Sequence, residues 1–369
     1  MRRLVWWVLA TAALAALVVL GLSKIDLHQV GRSLAHVRAG WIAVAAGLMT
    51  ATFLARAESW FAAIRAALGD SVVDRLTVTR VLLIGMFGSS VAPGRLGEAA
   101  RAWLIARHTG QARRTLAAVI GTLLSQTFLN LIALLILAAV ALAGGAIPGA
   151  HAGAVAAVAA VPAGVLLVLM LGPKLVSSSV AVRRGPVGRV AGWVSQQLGE
   201  VGRGLAVFRR LRTLLHSVSF QMLGWTLQAG ACYAVILAFG FENRAGLASA
   251  AAILFAVNVT AAVPITPANV GVFQAACIGV LAPLGIRAGT GLAYGLVLQA
   301  VELGCAMALG VPSLLGEGLS VAELRRTAPV GEVESVPQAN GSAGDEAHGA
   351  AAQEGDGAIA DERPAGHPA

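Results

Sequence analysis

The sequence predicts an all-α, polytopic membrane protein of about eight helices. Of its 369 residues, 57% are hydrophobic and 12% are charged, whereas an ordinary soluble domain carries about 25% charge. Several apolar stretches approach or exceed the ~20 residues that a helix needs to cross a bilayer. Two of the apolar runs end at Pro and Gly, which predicts two re-entrant segments and favours an inverted repeat.

The basic residues are concentrated in the apolar part of the chain. The whole chain has 27 Lys and Arg against 18 Asp and Glu, but from residue 316 onward there are ten acidic and three basic residues. The remaining basic excess falls mostly in the loops, where it orients the helices and attracts anionic headgroups. Because it is not interleaved with exposed aromatic residues on a soluble domain, nucleic acid is not an expected partner.

Composition divides the chain into a transmembrane domain, residues 1–315, and an acidic tail, residues 316–369. The tail has no periodic apolar pattern, so we expect it to be disordered. Within the first domain, residues 173–212 hold eight basic residues and one acidic residue. Apolar residues at helical spacing there indicate an amphipathic cytoplasmic helix on the inner leaflet. An ordinary solvated loop is the alternative.

Hydropathy places the helices along the chain. Arg2 and Arg3 precede the first apolar run, which predicts a cytoplasmic N-terminus and an uncleaved first helix; a signal peptide is the alternative. We expect both termini on the cytoplasmic side of a bacterial inner (plasma) membrane, and a loop at residues 23–40. Further helices are predicted at residues 41–68, 78–92, 115–143, 151–172, 214–240, 247–264, 271–285 and 291–312.

Two turns share one pattern, in the segments SSVAPGRLGEAAR and PITPANVG. Pro93 is followed four residues later by Gly97, and Pro267 is followed four residues later by Gly271. Proline breaks a helix, and glycine permits conformations that other residues resist. The distribution of basic loops predicts that the first segment enters from the inner side and the second from the outer side. Broken helices in two oppositely oriented halves are typical of transporters.

The first turn is unusually rich in groups that bind phosphate. A helix that begins near Gly97 offers backbone N–H groups, and Arg95 and Arg101 offer guanidinium forks. Glu98 would orient the arginines, and the second turn would add neutral donors. A basic interfacial turn with no ligand is the alternative. The predicted lipid-phosphate site comprises Arg95, Arg101, Gly94, Gly97, Glu98, Thr266, Asn269 and Gly271, with Pro93 and Pro267 as helix breakers.

Glu302 lies near the centre of an apolar helix, with Gln299 one turn before it. An ionisable residue inside a membrane helix is costly and is usually functional. We expect Glu302 to pair with Arg95 or Arg101, or to take up a proton during transport; a neutral, hydrogen-bonded glutamic acid is the alternative. Other polar residues on apolar helices are expected to form interhelical hydrogen bonds or to line a polar path: Gln126, Asn130, Gln221, Gln228 and Asn258.

The segments FGSSVAPGRLGEAAR and PITPANVGVFQAA resemble the two signature segments of the flippase-like transmembrane region of lysylphosphatidylglycerol synthases and of related stand-alone bacterial membrane proteins. The resemblance covers roughly residues 5–315. The second segment departs from the family pattern, because Ala268, Asn269 and Gln274 stand where the family has two glycines and a glutamate. The first segment matches at Pro93, Gly94, Arg95, Gly97, Glu98 and Arg101.

The resemblance implies movement of lipid between leaflets. We therefore expect the chain to translocate or bind an anionic phospholipid or a lipid-linked intermediate. The alternative is a non-transporting subunit that scaffolds a glycosyltransferase or another lipid-modifying enzyme. The sequence contains no GxxxxGK[ST], HExxH or GxSxG motif, so no enzymatic activity, cofactor or metal is expected. Because the tail at residues 316–369 is short and is expected to be disordered, we do not expect the aminoacyl transfer of the synthases.

Overall fold

The computed structural model describes residues 27–69, 72–91, 96–145, 153, 207–208, 210–261 and 269–318. All of them belong to one compact unit, Met1–Pro329. Several sequence predictions lie outside the described residues. They are the first helix, the helix at 151–172, most of the amphipathic segment at 173–212, the acidic tail, and the turn residues Pro93, Gly94, Arg95, Thr266 and Pro267.

The described residues form nine α-helices and one short 3-10 helix, with no strand among them. Four helices, α2, α5, α6 and α9, are long and apolar enough to cross a membrane. This confirms the prediction of an all-α, polytopic membrane protein. The helices are α1 Leu27–Ala35, α2 Ala39–Leu68, α3 Arg75–Val91, α4 Leu96–His108, α5 Ala112–Ala143, α6 Leu211–Ala238, α7 Leu247–Ala261, α8 Val272–Leu281 and α9 Ala288–Gly316, and the 3-10 helix is Ala282–Leu284.

The predicted loop at residues 23–40 is wrong in its centre, where α1 forms. One side of this short helix packs on α9, with Val30 buried against Leu292 and Ala293. The hydroxyl of Ser33 also donates to the Thr290 hydroxyl at 3.5 Å. Among the side chains that the structure describes in α1, Val30 is the apolar one buried in this contact. A helix of nine residues is too short to be stable alone, so it depends on its contact with α9.

Between the long helices lie two pairs of shorter ones, α3 with α4 and α7 with α8, and the members of each pair pack together. In the first pair a Cβ atom on Gly97 would lie 2.0 Å from the Gly85 carbonyl oxygen and 2.2 Å from the Ser89 hydroxyl. The two backbones are thus nearly in contact. The four helices have 17, 13, 15 and 10 residues, too few to cross ~30 Å of hydrocarbon at 1.5 Å per residue.

Helices α2 and α6 run antiparallel along most of their length. The hydroxyl of Ser59 donates to the Ser217 carbonyl at 2.9 Å, and that of Thr52 donates to the Gly224 carbonyl at 3.3 Å. Farther along, the N–H of Arg38 donates to the Ala238 carbonyl at 3.0 Å. In these three contacts the residue number along α2 decreases from 59 to 38 while its partner's number rises from 217 to 238, as antiparallel packing requires. The short helix pairs that follow α2 and α6 therefore begin at opposite ends of the bundle.

The two sets of four helices make matching contacts. As α3 packs on α9, α7 packs on α5, and as α4 packs on α5, α8 packs on α9. Contacts of α2 with α3 are likewise matched by contacts of α6 with α7. Together with the antiparallel packing of α2 and α6, this arrangement is that of an inverted repeat, with α2–α5 as one half and α6–α9 as the other.

One end of the bundle is rich in basic residues, and we call it the basic end. It contains the start of α3, the start of α6 and the ends of α4 and α9. There His108 Nε2 lies 3.1 Å from the carboxylate of Glu317. At the opposite end, Arg38 and Glu242 form an ion pair at 3.5 Å, and Arg244 donates to the Gly285 carbonyl at 3.0 Å.

Asp74 caps the N-terminus of α3 at the basic end. Its carboxylate accepts a hydrogen bond from the backbone N–H of Thr77 at 3.3 Å and another from the Thr77 hydroxyl. We expect Asp74→Ala to reduce the free energy of unfolding by about 1 kcal/mol, the usual contribution of such a cap. Thermal unfolding of the purified protein in detergent measures this difference.

The same cap predicts a pH dependence. The hydrogen bond from the Thr77 side chain lowers the pKa of Asp74 below its ordinary value. Since the folded-state pKa is the lower one, the stabilisation is fully present above the unfolded-state pKa of about 3.9 and is lost as the pH falls through the folded-state value. The stabilities of wild type and Asp74→Ala should therefore converge in acid. A difference that stays constant with pH would assign the effect to helix propensity alone.

Candidate functional site

A layer of polar side chains crosses the interior of the bundle where α2, α4, α5 and α6 meet. Arg101 on α4 donates from Nη2 to Gln126 Oε1 on α5 at 2.6 Å. Its guanidinium carbon lies 4.2 Å from the centre of the Trp60 ring on α2. The aliphatic part of Arg101 passes over Gly85, where a Cβ atom would lie 2.2 Å from it. A side chain at position 85 would thus displace the arginine.

A second arginine, Arg56 on α2, lies beside the first. Its Nη2 donates to Gln228 Oε1 on α6 at 2.6 Å, and its guanidinium carbon lies 5.1 Å from the centre of the Trp225 ring. Gln126 also donates to the Arg56 carbonyl at 3.4 Å. Gln126 therefore contacts both arginines and fixes one relative to the other.

The two tryptophan rings are held in place by hydrogen bonds to α5. The indole N–H of Trp60 donates to the Thr122 hydroxyl at 3.0 Å, and that of Trp225 donates to Asn130 Oδ1 at 3.1 Å. The amide of Gln221 donates to the same Asn130 oxygen. Both rings are buried, so the guanidinium groups of Arg56 and Arg101 stack on rigid surfaces, which limits their rotation.

The second half of the repeat contains a neutral counterpart of the Arg101–Gln126 pair. Gln274 on α8 donates from Nε2 to Gln299 Oε1 on α9 at 2.5 Å, and both hydrogen bonds join residues 25 positions apart. The Oε1 atom of Gln274 accepts the Gly271 N–H at 2.7 Å, at the start of α8. The first half thus contributes a cation to the layer, and the second half contributes an amide.

Glu302 faces the same interior from α9, and its side chain is half-buried. It interacts electrostatically with Arg56. Arg101 interacts with Glu98, which is exposed, and is repelled by Arg56. Among the described residues, Arg56 is the cation whose charge acts on Glu302. Each arginine of the layer therefore interacts with one carboxyl group, Arg56 with Glu302 and Arg101 with the exposed Glu98.

The two arginines each retain a donor that has no partner. The Nε atoms of Arg56 and Arg101 are buried and form no hydrogen bond with the described part of the chain. A buried unsatisfied donor costs about 1–3 kcal/mol, and more when it is charged. An oxyanion placed against the two guanidinium groups would satisfy such donors and would reduce the repulsion between them.

The structure places the predicted site residues as follows. Arg101 lies in the polar layer, Glu98 is close enough to interact with it, and Gly97 lies in the contact of α4 with α3. Asn269 and Gly271 adopt positive φ angles of 54° and 88° at the start of α8. Arg95, Gly94, Pro93, Thr266 and Pro267 lie outside the described residues, so their predicted roles stay predictions.

Arg56 was not among the site residues predicted from the sequence. The sequence did mark it, because a permanently charged residue is costly in a 30-residue apolar helix. The interhelical hydrogen bonds predicted for Gln126, Asn130, Gln221 and Gln228 are present. Asn258 instead donates to the Leu254 carbonyl within α7.

Comparison with known proteins gives one match. A family model described as the lysylphosphatidylglycerol synthase TM region matches residues 6–310, which include all of the polar layer and eight of the nine helices to their last residue. No curated protein and no solved structure matches the chain.

Proposed function

The chain belongs to the family of lysylphosphatidylglycerol synthase transmembrane regions, and on that premise we propose that it binds an anionic phospholipid or a lipid-linked intermediate and moves it between leaflets. The observation that carries the proposal is the pair of neighbouring arginines, Arg56 and Arg101. Both have a buried Nε atom without a hydrogen-bond partner in the described part of the chain.

The chemistry of a phospholipid headgroup suits this pair. A phosphodiester carries one negative charge on oxygen atoms that accept hydrogen bonds from guanidinium groups in a forked geometry. Transfer of that charge through hydrocarbon is costly unless cations and donors replace its water. Arg56 and Arg101 would provide both, supported by the Trp225 and Trp60 rings. Arg95, Thr266 and Asn269 are proposed to extend the site towards the two turns.

Glu302 gives the proposed transport cycle a proton-dependent step. In the empty site an ionised Glu302 would balance the charge of Arg56. A phosphate group that binds Arg56 would compete with this carboxylate, and Glu302 would then take up a proton to avoid an unpaired buried charge. The driving force would come from the lipid gradient or the membrane potential, and no chemical reaction is assigned to the chain.

We further propose an orientation in the bacterial inner membrane. The basic end holds most of the arginines in the described loops and helix ends, so the positive-inside rule places it in the cytoplasm. The helix pair α3–α4 would then be re-entrant from the cytoplasm, and α7–α8 would be re-entrant from the opposite side. Arginines at the basic end include Arg65, Arg75, Arg107, Arg210 and Arg212.

A vesicle assay tests the proposal. The purified full-length chain is reconstituted into vesicles that contain a fluorescent phosphatidylglycerol, and an impermeant quencher reports arrival in the outer leaflet. We expect Arg101→Gln to slow lipid movement by about tenfold or more, as loss of a charge-assisted contact of about 1.5–3 kcal/mol implies. Arg107→Gln is the matched control, because Arg107 is on the same helix, is exposed, and has its guanidinium carbon 5.4 Å from the centre of the Trp103 ring.

Two outcomes would count against the transport proposal. Equal rates for wild type and Arg101→Gln would remove the polar layer from the mechanism. Absence of movement for phosphatidylglycerol and for every other bacterial lipid supplied, together with stable co-purification of a glycosyltransferase or lipid synthase, would instead support the scaffold function.

A further inference from the structure

A second cationic site lies at the basic end, outside the polar layer. A pocket of about 220 Å³ opens there between the last turns of α2, the start of α3 and the start of α6. Four arginines line it, Arg65, Arg75, Arg210 and Arg212. They come from three separate stretches of the chain, so their convergence is a property of the folded bundle.

The pocket has an excess of positive charge. Glu58 is the one carboxylate among its lining residues, and its Oε1 atom already contacts Arg75 at 3.4 Å and His216 Nε2 at 3.0 Å. Arg210 and Arg212 are exposed, and among the described lining residues no second carboxylate balances them. The site therefore favours an anion from solvent or from the membrane surface.

The pocket is also partly preorganised. The guanidinium carbons of Arg65 and Arg75 lie 5.4 and 5.3 Å from the centre of the same Phe61 ring. This ring is buried, with 7% of its surface exposed. Stacking on a rigid ring reduces the freedom that an arginine loses when it binds a ligand. Two like charges held at one ring repel each other, and a bound oxyanion would relieve that repulsion.

We propose that this pocket binds a phosphate group at the cytoplasmic surface. Guanidinium groups that approach from several directions match the tetrahedral oxygens of a phosphate better than a planar carboxylate. With the basic end in the cytoplasm, the pocket opens at the leaflet that carries the anionic lipids. The phosphate of a lipid headgroup is therefore its ligand, and the pocket is the loading site from which a headgroup proceeds to Arg56 and Arg101. The loading role depends on the proposed transport function, whereas phosphate binding does not.

Lipid retention tests this inference. The full-length protein is exchanged into nanodiscs of phosphatidylcholine with a minor fraction of phosphatidylglycerol, and the lipids bound to it are quantified after release. We expect wild type to enrich phosphatidylglycerol, and Arg210→Gln/Arg212→Gln to reduce that enrichment by about tenfold. Both residues are exposed, so the variant should fold. Arg65→Gln/Arg75→Gln gives a second variant in the stacked part of the pocket, and Arg107→Gln is the control at the same end.

A second arm separates a lipid phosphate from a free phosphate. Inorganic phosphate is titrated against wild type in phosphatidylcholine nanodiscs by calorimetry. Tight binding of inorganic phosphate, with no preference for phosphatidylglycerol, would overturn the lipid assignment and leave a soluble phosphate as ligand. Unchanged lipid enrichment in both double variants would overturn the pocket itself.

Lipid binding at the pocket and lipid movement between leaflets can be measured separately. Because Arg101 is itself proposed to bind the headgroup, the pocket is tested in the Arg101→Gln background, where Arg210→Gln/Arg212→Gln should lower the remaining phosphatidylglycerol enrichment. A wild-type protein that enriches phosphatidylglycerol at this pocket but does not move it would contradict transport and preserve the pocket. Movement that persists at the wild-type rate in both pocket variants would contradict the loading role.

Discussion

Replacement of Gly97 by alanine is expected to prevent stable folding of the α3–α4 pair. The new Cβ atom would lie 2.0 Å from the Gly85 carbonyl oxygen and 2.7 Å from the Ser89 backbone nitrogen. These are backbone atoms that no side-chain rotation can move, so the helices must separate. Overpacking of a core typically costs about 1–3 kcal/mol and sometimes more. We expect a loss in the upper part of that range, because a shift of α4 would also move Arg101 away from Gln126 and Trp60.

The matched control is Gly47→Ala on α2. Gly47 also lies within a helix, but a Cβ atom there would meet nothing within 4 Å. Helix propensity alone predicts that this change stabilises the protein by up to about 1 kcal/mol. The yield of monodisperse protein and its thermal unfolding in detergent compare the two variants. If Gly97→Ala matched Gly47→Ala in both, the close contact of α3 with α4 would be refuted.

The second large effect is expected from Arg56→Met. This change removes the cation that interacts with Glu302 and the donor to Gln228. Loss of the charge-assisted hydrogen bond to Gln228 costs about 1.5–3 kcal/mol, because the Gln228 oxygen is left without this donor. Methionine keeps an unbranched apolar chain and the helix propensity of the position, so the loss reports on the guanidinium group and its contacts with Gln228 and Trp225.

A double-mutant cycle isolates the interaction of Arg56 with Glu302. Glu302→Gln removes the carboxylate charge, so the double variant Arg56→Met/Glu302→Gln should be more stable than Arg56→Met alone. Thermal unfolding of the four proteins in one detergent gives the coupling energy. Additive losses would show that the two residues do not interact, and the proposed proton-dependent step at Glu302 would lose its basis.

Gln274 shows how the two halves of the repeat differ in chemistry. Its amide accepts the Gly271 N–H with one atom and donates to Gln299 with the other. The oxygen and the nitrogen of this amide each form one hydrogen bond. A glutamate at position 274 has no N–H to donate, so Gln299 would have to donate to it instead. The second half therefore stabilises its own helix start with a neutral group, and the charged part of the layer comes from Arg56, Arg101 and Glu302.

Helix positions could largely be predicted from the sequence. The predicted runs at 41–68, 214–240 and 291–312 correspond to α2, α6 and α9 within about three residues at each end. Apolar length is a local property that needs no knowledge of neighbours, since the membrane imposes it on each helix separately. Helix α1 was missed because it is short and has a low mean hydropathy, although Leu27, Val30 and Leu34 stand at helical spacing.

The chain's sequence by itself determined a helical membrane protein and predicted two interrupted helices, because hydropathy and Pro–Gly placement act on each segment alone. It also marked Arg101 as a phosphate ligand and Glu302 as a costly residue inside a membrane helix. Only the tertiary structure decided that Arg56 lies beside Arg101, and that Glu302 interacts with Arg56. Those contacts depend on the rotation of each helix about its axis and on the antiparallel packing of α2 against α6, where Gly224 permits close approach to Arg56. Such packing is fixed by side chains far apart in the chain, and no spacing within one segment encodes it.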